Sequence, residues 1–441
     1  MPMRRFGLYV TLIVVAAAAA ALGWLYFTDR LERDKPSIKL DQDISSIGRK
    51  KDIGIIFTDK ASGLSRLNVE IIQDDKSHQL ITENIAGRGE RQKALRLTVN
   101  TGDLQLKNGP AVIRMSATDH SLFKNESILA LQVKIDTVPP QIFLLNPVNY
   151  INQGGTGFIT YRTSKPATLT GVYVDDTFFP GYTTLINNRP VSSAFFAVSP
   201  APPATKTKIT VFARDDAGNE TTVALPFTLK PKKFRSDKVN LSETFLQKIV
   251  PEFQAANPHL QDKTPAEVFG YVNTLLRDDN DRKIMKICSK SINKRLWEGA
   301  FLRMRNAKPT ALFGDRRTYI VDGVDLGSSV HLGIDLASTA GAPIEAANHG
   351  IVVFAGSLGI YGNAVIIDHG QGVFSLYGHM SSIDTEIGRQ VRKEERIGFS
   401  GLTGLAGGDH LHFSILVGGH FVNPVEWWDP HWIRDNILAK W

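Results

Sequence analysis

His331-Leu332-Gly333-Ile334-Asp335 and Asp409-His410-Leu411-His412-Phe413 are the two stretches that decide how the C-terminal part of this chain folds. They lie in a region, from His331 to His431, that contains eight of the 11 histidines and no cysteine. Histidine and carboxylate side chains are the usual protein ligands of a catalytic zinc ion, whose fourth position is left to water. The composition of this region therefore predicts a metal centre.

The spacing of the first stretch places its two polar side chains on one surface. His331 and Asp335 are four residues apart, and both the strand period and the helix period bring such a pair to the same side of the chain. Gly333 between them disfavours a helix. We therefore expect an extended segment that presents an imidazole and a carboxylate together.

The second stretch has the alternation of a half-buried strand. His410 and His412 share one face, and the apolar residues of this run share the other face, which should meet a core: Leu411, Phe413 and Ile415. A further strand-like run, Val373 to Tyr377, leads to His379. We expect His379 to be a third imidazole that reaches the same site.

The order of the motifs resembles that of the lysostaphin-type (LytM-like) zinc endopeptidases, which cut peptidoglycan peptides. The similarity covers about a fifth of the chain, from about Val330 to Val425, and rests on four motifs in this order: His331-x-x-x-Asp335, Tyr377-Gly378-His379-Met380, His410-Leu411-His412-Phe413 and Asn423-Pro424. The resemblance implies an antiparallel β-sheet domain that binds Zn²⁺. It implies His331, Asp335 and His412 as the metal ligands, and His379 and His410 as the catalytic pair.

Two histidines that are not ligands suit the chemistry of such a site. A neutral imidazole can take a proton from the attacking water, and a protonated one can stabilise the oxyanion or supply the leaving amine. The sequence leaves open which of His379 and His410 is the base. Leu405, Ala406 and Asp409 depart from the residues of many relatives, which concerns the fit of the substrate rather than the metal.

The remaining histidines of the region receive no role in the metal centre. His349 stands where relatives often have an aspartate, and His369, His420 and His431 are expected to be surface or hydrogen-bonded residues. No His-Glu-x-x-His helix and no Gly-x-Ser-x-Gly elbow occurs in the sequence, so other hydrolytic routes are not indicated.

The N-terminal end predicts a membrane location. Phe6 to Phe27 is an almost wholly apolar run of 22 residues, which is long enough to cross a bilayer core of about 30 Å. Arg4 and Arg5 precede it, as expected for a cytoplasmic N-terminus. We expect an uncleaved signal anchor that passes once through the cytoplasmic (inner) membrane and leaves the bulk of the chain outside the cytoplasm. A cleaved signal peptide, with sites in Ala16 to Ala21, is the alternative.

Composition limits the number of domains, the disulfides and the binding partners that the chain can have. The 441 residues suffice for three or four domains, and Cys288 is the only cysteine, so the chain has no intrachain disulfide. The net charge of +7 suits an anionic cell-wall surface. Nucleic acid is not an expected partner, because the lysines and arginines are dispersed and no recognition motif accompanies them.

An internal repeat lies between the apolar run and the histidine region. The stretch from Ile113 to Asp119, followed by Asn125, parallels the stretch from Ile209 to Asp215, followed by Asn219, with the alanines 96 residues apart. This period favours two immunoglobulin-like β-sandwich modules of about 100 residues each. The prolines in Asp136 to Pro140 mark the joint, because proline breaks strand pairing.

The pattern becomes helical after Leu241. Thr264 and Glu267 form a predicted capping box around Pro265, and one helical face is expected to contain Val268, Phe269, Val272, Leu275 and Leu276. This helical connector is either a spacer or packing element, or an element that occludes or positions the zinc groove.

Together these patterns predict a mostly β, multidomain protein. Its predicted parts are a transmembrane signal anchor (6–27), two immunoglobulin-like modules (36–135 and 136–232), a helical connector (240–308) and a LytM-like zinc endopeptidase domain (309–441). The expected partners are peptidoglycan, the membrane and a protein of the cell envelope. The alternative functions are a non-catalytic activator of another cell-wall hydrolase and an adhesive scaffold in which zinc only stabilises the fold.

Overall fold

The computed structural model describes residues 2–146, 148–201 and 206–441, with side chains from residue 7 onward. The side chains of Arg4, Arg5 and Phe6 therefore lie outside the described residues. The chain divides into two compact units. The first is Met1–Pro140 with Pro166–Thr168 and Arg214–Glu220, and the second is Gln141–Lys165, Leu169–Ala213 and Thr221–Trp441.

An apolar helix, α1 (Pro2–Phe27), begins the first unit. Its segment Gly7–Phe27 is long and apolar enough to cross a membrane, and the rest of the chain does not bury it. A signal sequence has the same length and composition. Arg30 lies over the ring of Trp24, 4.1 Å from the ring centroid.

Two sheets form the β-module of the first unit. Its strands are β1 (Ser37–Leu40), β2 (Ser46–Ile47), β3 (Lys50–Thr58), β4 (Leu64–Gln73), β5 (Lys76–Asn84), β6 (Gln92–Asn100), β7 (Gly109–Asp119) and β8 (Glu126–Ile135). The sheets have the orders β1-β3-β6 and β2-β8-β7-β4-β5. Alternate residues of both sheets enclose one core, which includes Phe57, Val69 and Met115.

The second unit begins with a further set of short strands. They are β9 (Ile142–Leu144), β10 (Tyr150–Asn152), β11 (Thr156–Thr163), β12 (Leu169–Val174), β13 (Thr177–Pro180), β14 (Tyr182–Ile186), β15 (Arg189–Ala197), β16 (Ile209–Arg214), β17 (Glu220–Ala224) and β18 (Thr228–Lys230). They form the sheets β14-β15-β11-β9 and β13-β12-β16-β17, and β10 pairs with β18.

Three helices follow the strand β19 (Ser236–Asn240): α2 (Glu243–Ala256), α3 (Pro265–Tyr271) and α4 (Arg277–Ile287). The predicted capping box of Thr264 and Glu267 is present at the start of α3. The predicted apolar face is only partly correct, because Leu275 is exposed. A π-helical turn over Val272–Leu276 joins α3 to α4 and, by adding a residue to the turn, rotates the following side chains out of that face.

The helical part is shorter than the sequence suggests. Its last helix ends at Ile287, and residues 288–307 contain no helix. They pack against the C-terminal domain, where Trp297 is fully buried and the amide of Phe301 donates to the carbonyl of Trp427.

The C-terminal domain is built on an antiparallel sheet. The strands of the domain are β20 (Lys308–Ala311), β21 (Arg316–Val321), β22 (Val324–Val330), β23 (Ile334–Ala337), β24 (Pro343–Glu345), β25 (Gly350–Ser357), β26 (Asn363–Asp368), β27 (Val373–Ile383), β28 (Gln390–Val391), β29 (Arg396–Ser400), β30 (Leu411–Val417) and β31 (His420–Val422). Of these, β21 and β22 form a hairpin outside the main sheet. The order of the main path is β20-β23-β30-β27-β26-β25-β28. Two short helices, α5 (Pro424–Trp428) and α6 (Pro430–Asn436), end the chain.

This sheet is covered on both faces. Leu376 and Leu416 point into a core that the helices complete with Leu246 and Phe269. Alternate residues such as Phe413 point into a second core, whose members include Phe195, Trp297 and Trp427. The prediction of a half-buried strand is therefore wrong for β30, since all seven of its residues are buried. Leu411, Phe413 and Ile415 face a core as predicted.

Trp427 provides a test of the packing on the second face. Its ring is fully buried, lies 5.2 Å from the ring of Phe301 and 5.8 Å from that of Phe195, and its Nε1 donates to Thr156 Oγ1 at 3.0 Å. We expect Trp427→Ala to reduce the free energy of unfolding by about 3–5 kcal/mol, the usual cost of truncating a buried tryptophan. Denaturant titration followed by circular dichroism measures this change.

The neighbouring Val425→Ala is the control, because Val425 is half exposed and such substitutions usually change stability by less than about 0.5 kcal/mol. A loss below about 1 kcal/mol in Trp427→Ala would contradict the described packing.

Candidate metal centre

Three side chains converge where β23 and β30 pair. Asp335 lies opposite His412 in the strand register, and His331 precedes β23. Asp335 Oδ1 is 2.9 Å from His331 Nε2 and 2.9 Å from His412 Nδ1, and the two nitrogens are 3.1 Å apart. Two imidazole nitrogens and one carboxylate oxygen thus face a common point.

Hydrogen bonds on the far sides of both rings leave these nitrogens available as ligands. His331 Nδ1 contacts the carbonyl of Leu312 at 3.0 Å, so it carries the proton and donates. His412 Nε2 lies 3.0 Å from Ser414 Oγ, which itself donates to the carbonyl of Leu332. His412 must therefore donate from Nε2, and its Nδ1 has a free lone pair.

This arrangement fits a cation better than it fits a hydrogen-bond network. With both outer nitrogens protonated, two lone pairs and a carboxylate oxygen face one another, and neutral rings supply no proton to join them. Separations near 3 Å are close to those of ligands around a tetrahedral Zn²⁺ with bonds of about 2.0–2.1 Å. The donor set thus suits zinc.

Two further imidazoles flank the three converging atoms. His379 Nδ1 donates to the carbonyl of Thr403 at 2.8 Å, and His410 Nδ1 donates to that of Gly408 at 2.8 Å. Their ring centroids are 4.7 Å apart, and His410 Nε2 is 3.6 Å from Asp335 Oδ1. Each ring therefore directs Nε2 away from its carbonyl anchor.

The two rings have different electrostatic surroundings. Burial, reinforced by His410 and His412, lowers the pKa of His379 to about 3, so this ring is neutral near pH 7. Burial also acts on His410, but the carboxylate of Asp335 outweighs it and raises the pKa of His410.

His379 lies in a backbone conformation that the sequence did not suggest. Its φ is +61°, which is uncommon for a residue other than glycine. It occurs inside β27, rather than after a strand that ends at Tyr377, and lies where the pairing with β26 shifts register between Tyr377 and Met380. The resulting bulge brings the His379 ring to 5.8 Å from the ring of His412.

A cavity of about 460 Å³ opens onto all five side chains. The helical segment and the β21–β22 hairpin contribute its other walls through Phe245, Phe269, Arg277, Arg317 and Tyr319. The loop before β30 is tied to α2, because Gly404 N donates to Glu252 Oε1 at 2.8 Å and Lys248 Nζ donates to the carbonyl of Gly407 at 3.2 Å. The helical segment thus forms part of the groove that contains the candidate metal centre.

The atypical residues of that loop have clear contacts. Asp409 accepts a hydrogen bond from Ser400 Oγ at 2.6 Å and another from Gly341 N at 3.0 Å. Leu405 lines the cavity, and Ala406 is buried. Asp409 therefore fixes the loop, whereas Leu405 shapes the groove.

Three residues of the site were not identified from the sequence. Ser414 orients His412, Thr403 orients His379, and Arg317 lies 4.0 Å from Asp335 Oδ2. Only Ser414 carried a signal, since it lies two residues beyond His412 on the same face of the strand. Thr403 and Arg317 come from a loop and a separate hairpin, which no local pattern connects to the site.

The other histidines lie outside this group. His369 is fully buried, contacts the His349 carbonyl and Ser375 Oγ, and burial lowers its pKa to about 4. His420 packs 5.2 Å from the ring of Phe179, and the side chain of His431 is 75% exposed. None of the four contributes to the candidate metal centre.

Comparison with known proteins identifies the domain that holds the site. Residues 329–424 match the model of peptidase family M23. The C-terminal domain is a peptidase family M23 domain. The predicted resemblance to lysostaphin-type peptidases is thereby confirmed, and the M23 domain lies at the predicted place in the chain.

Curated relatives are similar over the M23 domain. The chain is 46% identical over 96 residues to the DD-carboxypeptidase/endopeptidase Mpg of Neisseria meningitidis, and 38% identical over 96 residues to the peptidoglycan DD-endopeptidase ShyA of Vibrio cholerae. In both comparisons the match covers 22% of this chain and 22% of the relative.

The murein hydrolase activator EnvC of Escherichia coli is also similar, with 36% identity over 95 residues, which are 22% of this chain and 23% of EnvC. The chain thus spans less than a quarter of the length of each of these relatives.

Ser414 allows a test of how the M23 domain orients its candidate metal ligands. Ser414→Ala removes the acceptor that fixes the proton of His412 on Nε2, so we expect the affinity for zinc to fall about 10–100-fold, as for other partners of ligating histidines. Competition with a chromogenic zinc chelator measures the affinity.

Ser382→Ala is the matched control, since Ser382 is exposed on β27. An affinity in Ser414→Ala within about twofold of that of the control would contradict this role of Ser414.

Proposed function

We propose that this protein is a membrane-anchored zinc metalloendopeptidase that hydrolyses peptide bonds in the cross-links or stems of peptidoglycan. The observation that carries the proposal is the arrangement of His331, Asp335 and His412, whose three ligand atoms lie 2.9–3.1 Å apart, beside the two further imidazoles of His379 and His410. Its M23 domain and its similarity to a peptidoglycan DD-endopeptidase support the choice of substrate.

In this proposal the five side chains have two kinds of role. His331, Asp335 and His412 would hold a zinc ion, and the chemistry that it would supply is acidification of water and polarisation of the scissile carbonyl. His379 and His410 keep Nδ1 on backbone carbonyls, and their Nε2 atoms transfer the proton of the attacking water to the leaving amine and stabilise the oxyanion.

The remaining parts of the chain receive matching proposals. The segment Gly7–Phe27 acts as an uncleaved anchor in the cytoplasmic membrane, so that the M23 domain lies outside the cytoplasm. The two β-modules are immunoglobulin-like and hold the M23 domain away from the bilayer. The proposed boundaries are those expected from the sequence: 36–135 and 136–232 for the two β-modules, 240–308 for the connector and 309–441 for the M23 domain. Within the connector the helices end at Ile287.

An activator of another hydrolase is the second candidate, and similarity to EnvC supports it. Activation requires a binding surface but no metal centre. The orientation of His412 by Ser414 and of His379 by Thr403 has no purpose in a domain that only binds a partner. We therefore favour the enzyme.

The ligands and the catalytic histidines can be separated by alanine substitution. His331→Ala and His412→Ala should lose both zinc and digestion of purified peptidoglycan. His379→Ala and His410→Ala should retain zinc and lose on the order of 10² or more in rate, which is the usual contribution of such groups. Metal analysis and mass spectrometry of the released muropeptides provide the two readouts.

His431→Ala serves as the control, because its side chain is 75% exposed. Full digestion by a zinc-free protein would refute the proposed metal chemistry. Loss of zinc from His379→Ala or His410→Ala would show that the roles are wrongly divided.

Topology is tested separately with reporters fused after Trp441. We expect a reporter that is active only outside the cytoplasm to work, and one that fluoresces only in the cytoplasm to stay dark, because the apolar segment should carry the M23 domain across the membrane. Sequencing the mature N-terminus tests whether the apolar segment is cleaved. A terminus near Ala21 would show that the segment is a signal peptide and not an anchor. A bright cytoplasmic reporter would exclude the peptidoglycan substrate.

A further inference from the structure

Three carboxylates meet at one end of the first β-module. Glu32 comes from the segment between α1 and β1, Asp59 follows β3, and Asp119 ends β7. Each offers an oxygen, and these oxygens all lie within 4.8 Å of one another. That separation is about the largest that two ligands can have across an ion with bonds of about 2.4 Å.

One of these carboxylates is buried and incompletely bonded. Asp59 is only 2% exposed; its Oδ2 accepts from Gly63 N at 2.6 Å and from Ala61 N at 3.3 Å. Its Oδ1 is buried without a hydrogen-bond partner among the described residues, as is the hydroxyl of the neighbouring Ser62. A buried carboxylate oxygen without a partner costs free energy that a bound cation would offset.

The three carboxylates are also unusual in their charge environment. Within the described residues, no lysine or arginine forms an ion pair with Glu32, Asp59 or Asp119. The site therefore lacks the positive charge that buried carboxylates usually require.

The repeat within the chain shows that the fold alone does not require the carboxylate of Asp59. Asp119 accepts from the amide of Asn125 at 3.0 Å, and Asp215 accepts from the amide of Asn219 at 2.8 Å, so both copies use this turn. The residue that follows β11, however, is Ser164, where Asp59 follows β3. The acidic group is thus a property of the first copy only.

We propose that Glu32, Asp59 and Asp119 bind a calcium ion that fastens the segment after α1 to the first β-module. All three ligands are oxygens, which hard cations prefer, and Ca²⁺ accepts six to eight oxygens in irregular geometry, so that water and nearby oxygens can complete the shell. Glu32 lies five residues after the end of α1. The ion would therefore limit the motion of the β-module relative to the helix that precedes it.

The test uses the full-length protein in detergent, stripped of calcium and supplied with one equivalent of zinc to fill the histidine site. Isothermal titration calorimetry should detect one Ca²⁺ per chain with a dissociation constant on the order of 10⁻⁴–10⁻³ M, as for extracellular calcium modules. Calcium should also slow hydrogen exchange of residues 28–36, and magnesium at equal concentration should not.

Three variants locate the site. Asp59→Asn and Glu32→Gln should each weaken calcium binding at least about tenfold, because each removes one ligand charge. Asp34→Asn, in the same segment, is the control, since Asp34 is exposed and pairs with Lys60. Glu32 is only partly buried, so Glu32→Gln keeps the test valid if Asp59→Asn fails to fold.

The outcomes that would overturn the proposal are equally defined. Absence of binding at about 10 mM calcium would exclude the site, and unchanged affinity in Glu32→Gln would place any bound ion elsewhere. Equal protection by magnesium would refute the choice of calcium. None of these results depends on peptidase activity.

Discussion

The candidate metal centre depends on the register between three neighbouring strands. Asp335 in β23 and Gly378 in β27 both pair with His412 in β30. This pairing fixes the carboxylate beside one imidazole, and the residue after Gly378 is the flanking His379. A shift of one residue in β30 would turn His412 to the opposite face. The register is therefore the constraint on which the chemistry rests.

Burial of both faces of the sheet enforces that register. Leu416 of β30 joins the core beneath the helices, while Phe413 joins the core that contains Trp427. Apolar groups on both faces mean that a slipped strand would exchange one set of well-packed side chains for another that does not fit. The helical segment has a second consequence, because Phe245 and Phe269 also line the cavity above the site. Stability and access to the groove are thus linked in one element.

Local patterns predicted the parts of the structure that depend on neighbours in sequence. The alternation around His412 predicted a strand, and Thr264 with Glu267 predicted a capped helix, and both are present. Burial on the second face of β30 comes from elements far away in sequence, so alternation could not reveal it. The bulge at His379 arises from the pairing of β27 with β26, and its hydrogen bond to Thr403 comes from a loop distant in sequence. The carboxylates of Glu32, Asp59 and Asp119 are separated by tens of residues and meet only in the fold.

The central claim is that two imidazole nitrogens and one carboxylate oxygen hold a zinc ion with a position left for water. X-ray absorption at the zinc edge of the purified full-length protein tests it most directly. The account predicts a four-coordinate shell of nitrogen and oxygen at about 2.0–2.1 Å, with histidine outer-shell scattering from two rings. A sulfur neighbour at about 2.3 Å, or scattering from four imidazoles with no oxygen, would contradict the account.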